Sequence, residues 1–133
     1  MIINPITSWP EIQYTPTFVG YGTVSSLGFY YVKVDKLLFI RGWFLSGTPT
    51  AVQAKISLPA GFEVTDAYVN GQIVGVYNMD AAGTVSYVLV DQFGADMLYS
   101  RADGGANPMV PLVGTAVAAL NRKFTVNAVV GIL

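Results

Sequence analysis

The side chains left for chemistry in this 133-residue sequence are its eight carboxylates, its lysines and its tyrosines, because the chain contains no histidine and no cysteine. That composition excludes Ser-His and Cys-His nucleophiles, Cys/His zinc sites, disulfides and iron-sulfur clusters. A glycosidase needs two carboxylates about 5 to 10 Å apart in a cleft. Here the acidic residues fall mostly at predicted turns, which favour aspartate; they are Glu11, Asp35, Glu63, Asp66, Asp80, Asp91, Asp96 and Asp103. We therefore expect no catalytic activity.

Metal and nucleic-acid sites are equally poorly supported. Oxygens around Asp91, Asp96 and Asp103 could cluster near a calcium ion, but their spacing lacks the Asp-x-Asp-x-Asp-Gly pattern of a calcium loop. The seven basic residues are scattered along the chain and the isoelectric point is near 5.0. A phosphate backbone requires a basic stripe, which this pattern does not provide. We expect no metal, no cofactor and no nucleic-acid partner.

Aromatic residues offer one further kind of site, a platform on which sugar rings stack. The sequence holds 7 Phe, 8 Tyr and 2 Trp, and the candidates for exposed platforms are Trp9, Tyr21, Tyr68, Tyr77 and Tyr99. The alternative is that these side chains are core or interface anchors, since each aromatic side chain buries about 150 to 250 Å².

The apolar composition, with 53% hydrophobic and 11% charged residues, raises the question of a membrane. The two longest charge-free stretches, residues 12–32 and 104–121, contain proline and glycine that interrupt a spanning helix. No basic residue precedes Lys33, whereas a secretory signal begins with a cationic region. We expect that the protein does not insert into a membrane and that it is made in a cytoplasm.

The spacing of β-formers and turn residues predicts an all-β fold. Valine, isoleucine and threonine supply 36 of the 133 residues, and 14 Gly and 7 Pro interrupt the chain often. Eight strands are predicted, which suits a two-sheet antiparallel β-sandwich; they cover about Gln13–Phe18, Thr23–Val34, Lys36–Leu45, Val52–Leu58, Gln72–Asn78, Thr84–Gln92, Met97–Arg101 and Lys123–Val130. Residues 115–120 are predicted as coil or a short helix.

The first sixteen residues form a separate unit in this interpretation, an extended N-terminal arm that precedes a single β domain at residues 17–133. Three prolines in the arm disfavour a helix or an interior strand. The arm carries Ile2, Ile3, Ile6 and Trp9, which need burial to stay ordered. We expect these four residues to anchor the protein on a neighbour or on an underlying virion surface.

The predicted strand 36–45 is apolar on both of its faces, whereas a two-layer domain has one core. One face carries Leu38, Ile40 and Phe44, and the other is interrupted only by Arg41. We predict that this second face is a subunit interface; its residues are Leu37, Phe39, Trp43 and Leu45. The neighbour is either another copy of the chain or the proline-rich N-terminal segment of the same subunit.

With the strands placed, a series of short signatures resembles a module of bacteriophage structural proteins, often found at the distal end of tail or capsid fibres. The signatures are Trp9, Tyr14-Thr15-Pro16-Thr17, Gly20, Gly22-Thr23, Tyr30-Tyr31, Asp35, Gly42, Gly47-Thr48, Ile56-Ser57-Leu58-Pro59 and Gly61. The module is similar to small trimeric β-jelly-rolls of the complement-head and tumour-necrosis-factor-like kind, and the resemblance covers roughly residues 9 to 75. Two departures stand out: the hairpin turn is Val34-Asp35-Lys36 where such sequences often have Gly-Asp, and we expect the module here to stand without the usual fibre shaft.

The resemblance implies a non-catalytic virion protein, a homotrimeric jelly-roll that decorates or cements the capsid or caps another virion part. Its partners would be other copies of itself and the major capsid protein or tail proteins, and it would be made in the cytoplasm of the host bacterium. The alternative is the receptor-binding head of a tail fibre or spike that recognises a host surface glycan or protein. An aromatic floor with a polar rim would favour this second function.

Overall fold

The computed structural model describes residues 10–80, 85–101 and 111–133, and in this part of the chain it has nine strands and one short helix. The strands are β1 (Ile12–Tyr14), β2 (Phe18–Val19), β3 (Ser26–Val34), β4 (Leu37–Leu45), β5 (Lys55–Ser57), β6 (Gln72–Met79), β7 (Val85–Val90), β8 (Asp96–Arg101) and β9 (Lys123–Gly131), with helix α1 (Gly114–Val117) between the last two. The all-β prediction is confirmed, and α1 overlaps the segment predicted as coil or a short helix.

All nine strands pair antiparallel in one sheet, in the order β1-β3-β4-β9-β6-β7-β8-β5-β2. The two edge strands are consecutive in the chain and only residues 15–17 separate them, so the sheet curls until its edges meet. The Tyr14 hydroxyl at the end of β1 donates to the carbonyl of Ser57 on β5 at 3.2 Å, and the Thr17 amide beside β2 donates to Ser57 Oγ at 2.8 Å. The Tyr14 contact brings the first edge of the sheet next to β5, which pairs with the other edge strand, β2.

Several strand boundaries differ from the sequence prediction, and the predicted strand 52–58 is reduced to β5 (Lys55–Ser57). The predicted strand 13–18 is divided into β1 and β2 by the segment that contains Pro16. Proline has no backbone N–H to donate to the hydrogen-bond ladder of a sheet. The predicted strand 23–34 begins only at Ser26. Gly20 and Gly22 before it adopt φ values of 88° and 65°, a left-handed conformation that turns the chain instead of extending it.

The core inside the curled sheet is built on stacked aromatic rings. The rings of Phe44 and Phe124 stack with centroids 5.0 Å apart, and the Tyr77 ring stacks on the other side of Phe124, also at 5.0 Å. Tyr21 and Tyr99 pack edge-on to each other beside this stack, at 6.1 Å. All five side chains are buried. Such pairs contribute about 0.5–1.5 kcal/mol each beyond the area that they bury.

The β3–β4 hairpin carries the predicted turn at residues 35–36, since Val34 pairs directly with Leu37. Asp35 takes a φ of 55°, a left-handed conformation that aspartate tolerates better than most residues. From this turn β4 runs through the middle of the sheet, between β3 and β9. Side chains alternate along a strand, so every second residue of β4 faces the core.

Candidate functional site

The structure assigns the two apolar faces of β4. Leu38, Ile40 and Phe44 face the core and are buried. The four residues predicted as a subunit interface all lie on the opposite, outer face: Leu37 and Phe39 are 39% and 43% exposed, and Trp43 and Leu45 are half-buried. The outer face is therefore the one that has no layer of its own subunit packed on it among the described residues.

A shallow groove of about 430 Å³ lies on this outer face, and we call it the outer groove. Its floor is formed by Val32, Phe39, Val74, Val76 and Val129. Val32, Phe39 and Val129 lie directly opposite one another on β3, β4 and β9, so they form one row across the sheet. Phe39, Val76 and Val129 are each about 40% exposed (43%, 41% and 40%).

A β-bulge in β6 shapes the far wall of the outer groove. The pairing of β6 with β7 shifts register between Ile73 and Gly75. A side chain at Gly75 would collide with the Asn127 carbonyl and with Ala128 on β9. The glycine thus permits a close approach of β6 to β9 at the bulge, and Val74 and Val76 line the groove on either side of it.

An ion pair closes the near rim of the outer groove. Arg41 on β4 donates two hydrogen bonds to the Glu11 carboxylate, from Nε at 2.7 Å and from Nη2 at 2.6 Å. The guanidinium also lies 4.9 Å from the centre of the Tyr30 ring. The hydrogen bonds from Arg41 lower the pKa of the Glu11 carboxyl, and the pairing raises the pKa of Arg41. The rim therefore presents a neutralised pair beside an apolar floor.

A second, smaller depression of about 230 Å³ adjoins the outer groove at Arg41 and Asn127. Its aromatic wall is Trp43, and the Lys123 ammonium lies 5.0 Å from the centre of the indole ring. Thr125 adds a hydroxyl to the rim. Across the strand pair, Gly28 lies opposite Trp43, and a side chain there would collide with the indole. The glycine is what allows the ring to lie along the sheet.

In the described part of the chain, no three acidic side chains come close enough to share a metal ion. Glu11 is held by Arg41, and Asp80 accepts a hydrogen bond from the Lys123 amide at 3.1 Å. Asp103 lies outside the described residues. No helix among the residues described has the length and hydropathy to cross a bilayer.

Three of the predicted sugar platforms are wrong, because the fold uses them as core. Tyr21, Tyr77 and Tyr99 are buried, and burial raises the pKa of each hydroxyl well above its usual value. Tyr68 is half-buried, and its hydroxyl accepts a hydrogen bond from the Gly131 amide at 2.9 Å. Nothing in the sequence distinguishes a core tyrosine from an exposed one in a strand, so only the packing separated them.

The predicted anchoring residues, Ile2, Ile3, Ile6 and Trp9, lie outside the described residues, as does the fifth sugar candidate, which is Trp9 itself. Of the predicted arm, residues 12–14 form the edge strand β1, paired with β3. The sequence pattern did not identify Val32, Val129 and Val76 as surface residues, and it did not predict the pairing of Arg41 with Glu11. The alternation of β9, in which Val129 follows the polar Thr125 and Asn127, was the available signal for an outward-facing valine.

No family model, no curated protein and no solved structure matches this chain. The function must therefore be argued from its own residues.

Proposed function

We propose that this protein is a non-catalytic structural subunit of a bacteriophage virion, and that its copies associate through the outer face of β4. The observation that carries the proposal is the exposure of Phe39 at the centre of an apolar groove in the middle of the sheet. Large apolar side chains that are exposed together on one sheet face mark an interaction surface.

The chemistry of the outer groove supports association with a protein partner over binding of a polar ligand. Its floor is valine and phenylalanine, and burial of such surface contributes about 25 cal/mol per Å². Its rim charges already neutralise each other, so a partner need not supply a counter-charge for Arg41 or Glu11. A net charge of −1 for the whole chain adds little repulsion between copies.

The virion setting, the homotrimer and the jelly-roll arrangement of two sheets are parts of the proposal that rest on the resemblance in residues 9 to 75. A curled nine-stranded antiparallel sheet is compatible with a sandwich whose layers are two halves of that sheet. In this proposal the trimer decorates or cements the capsid or caps another virion part. Its partners beyond itself are the major capsid protein or tail proteins.

The test is the mass of the purified protein in solution at micromolar concentration, measured by sedimentation equilibrium. The wild type is expected to sediment as a trimer, and Phe39→Asp as a monomer, because the new carboxylate would have to lose its hydration at the interface. Phe93→Asp is the matched control, since Phe93 is 54% exposed in a loop away from the outer groove. A folded wild-type monomer, or a trimer in Phe39→Asp, contradicts the proposal.

A second candidate function is the receptor-binding head that recognises a host glycan, and the depression beside Trp43 is the observation that favours it. An indole edge with an ammonium, a hydroxyl and an amide around it combines a stacking surface with hydrogen-bonding groups. Titration with saccharides from the host surface would change the tryptophan fluorescence of the wild type but not of Trp43→Phe. No response from the wild type counts against this function.

A further inference from the structure

We infer that the outer groove of one copy receives residues 1–9 of a neighbouring copy, so that exchanged N-terminal segments join the subunits. This inference rests on the proposed self-association and names the contact that produces it.

The composition of the segment matches the floor of the outer groove. Residues 1–9 carry three isoleucines and a tryptophan and no charged side chain. The floor of the groove is likewise apolar, with Phe39 flanked by Val32 and Val129. Burial of both apolar surfaces is favourable, and the charged side chains at the groove rim, Arg41 and Glu11, already pair with each other.

The described chain begins at the rim of the groove. Glu11 lines the groove, and Arg41 holds its carboxylate with two hydrogen bonds. Nine extended residues span about 30 Å at roughly 3.3 Å each. The groove crosses three strand spacings from β3 to β6, about 14 Å in all. The segment is therefore long enough to leave one subunit and cover the whole row in the next.

The direction of β1 favours a neighbour over the same subunit. β1 runs antiparallel to β3 with Ile12 opposite Tyr31, so the chain before Ile12 heads along the sheet edge toward Val34. Proline at position 10 fixes its own φ and biases the preceding residue to an extended conformation. To lie across the face of its own subunit, the chain would have to turn away from this direction within a few residues of Glu11. Exchange of identical segments between copies avoids that turn.

A mixing experiment with full-length variants tests the exchange. The double variant Ile3→Asp/Ile6→Asp places carboxylates in the apolar segment and leaves the groove unchanged. Phe39→Asp places a carboxylate in the groove and leaves the segment unchanged. Each variant alone is expected to sediment as a monomer. A 1:1 mixture is expected to form a heterodimer, because the intact segment of one variant can fill the intact groove of the other. The matched control is Phe93→Asp mixed with the segment variant, because Phe93→Asp adds the same carboxylate as Phe39→Asp but outside the outer groove.

The outcomes separate this inference from the proposed function. If the segment variant assembles as the wild type does while Phe39→Asp does not, self-association stands and the exchange is overturned. If both variants are monomers and their mixture does not associate, the exchange is also overturned. If both variants assemble like the wild type, both proposals fail. Far-UV circular dichroism checks that each variant is folded, and Val76→Asp provides a second groove variant should Phe39→Asp not fold.

Discussion

Arg41 reaches across β3 from the centre of the sheet and binds Glu11, the residue immediately before the edge strand β1, with two hydrogen bonds of 2.6 and 2.7 Å. The pair links the start of the described chain to the outer face of β4. The Arg41 side chain is 61% exposed and the Glu11 side chain 38%, so water competes for their hydrogen bonds. The pair therefore positions the chain at the rim of the outer groove more than it stabilises the fold.

Glu11→Gln should accordingly leave the thermal unfolding of the protein unchanged within error. Glu63→Gln is the control, because Glu63 is another exposed glutamate and its side chain makes no ion pair among the described residues. The two melting curves, measured by circular dichroism in low salt, should superimpose. A marked loss of stability in Glu11→Gln alone would show that the pair has a structural role that its exposure does not predict.

Phe124→Ala should destabilise the fold strongly, since Phe124 stacks between Phe44 and Tyr77 at the centre of the core. Truncation of a buried phenylalanine costs about 3–5 kcal/mol in free energy of unfolding. Phe93→Ala, at a site that is 54% exposed, should cost less than about 1 kcal/mol. Urea unfolding of both variants measures the difference, and equal losses would contradict the assignment of the core.

Alkaline pH should destabilise the protein through its buried tyrosines. Burial raises the pKa of Tyr21, Tyr77 and Tyr99 well above the usual value near 10.0. Above pH 10 the unfolded chain releases these protons and the folded chain retains them, so stability is complete below that pH and falls as pH rises. Each tyrosine contributes a slope of at most about 1.4 kcal/mol per pH unit. Urea midpoints from pH 8 to 12 test this, and a flat profile would contradict it.

Two tyrosine-to-phenylalanine changes should differ in stability although both sites are buried. The Tyr77 hydroxyl donates to the Val117 carbonyl at 2.8 Å, whereas the Tyr99 hydroxyl has no hydrogen-bond partner within the described ranges. Tyr77→Phe should lose about 1–3 kcal/mol because it leaves a buried carbonyl unpaired, and Tyr99→Phe should be neutral or stabilising. Unfolding by urea at pH 7 compares them, and a larger loss for Tyr99→Phe would be inconsistent with these contacts.

Chelation should have no effect on assembly or stability, since the described carboxylates form no cluster of three. The melting temperature and sedimentation profile are expected to be the same in EDTA and in added calcium. The purified protein should also release no reducing sugar from host polysaccharide. Calcium-dependent melting would point to a metal site, and sugar release abolished by one Asp→Asn change would point to an enzyme.

Much of the fold follows from local pattern. The runs of β-formers in β4 and β9 and the polar turn at Asp35 predict antiparallel strands, and these strands lie within a few residues of their predicted bounds. Local pattern did not place the break at Pro16 or the contact of Tyr14 on β1 with Ser57 on β5. Those features depend on how far the sheet curls, which is a property of all nine strands together.

The sequence by itself determined that β4 has two apolar faces, that histidine and cysteine chemistry is absent, and that the surface carries few charges. Only the tertiary structure decided that Phe44 faces the core and Phe39 faces outward, and that Tyr21 and Tyr99 are core residues. The physical reason is that hydrophobicity is a property of each residue, whereas burial depends on which neighbours the curled sheet brings against it. Arg41 and Glu11 are thirty residues apart in sequence, and pairing across β3 makes them neighbours.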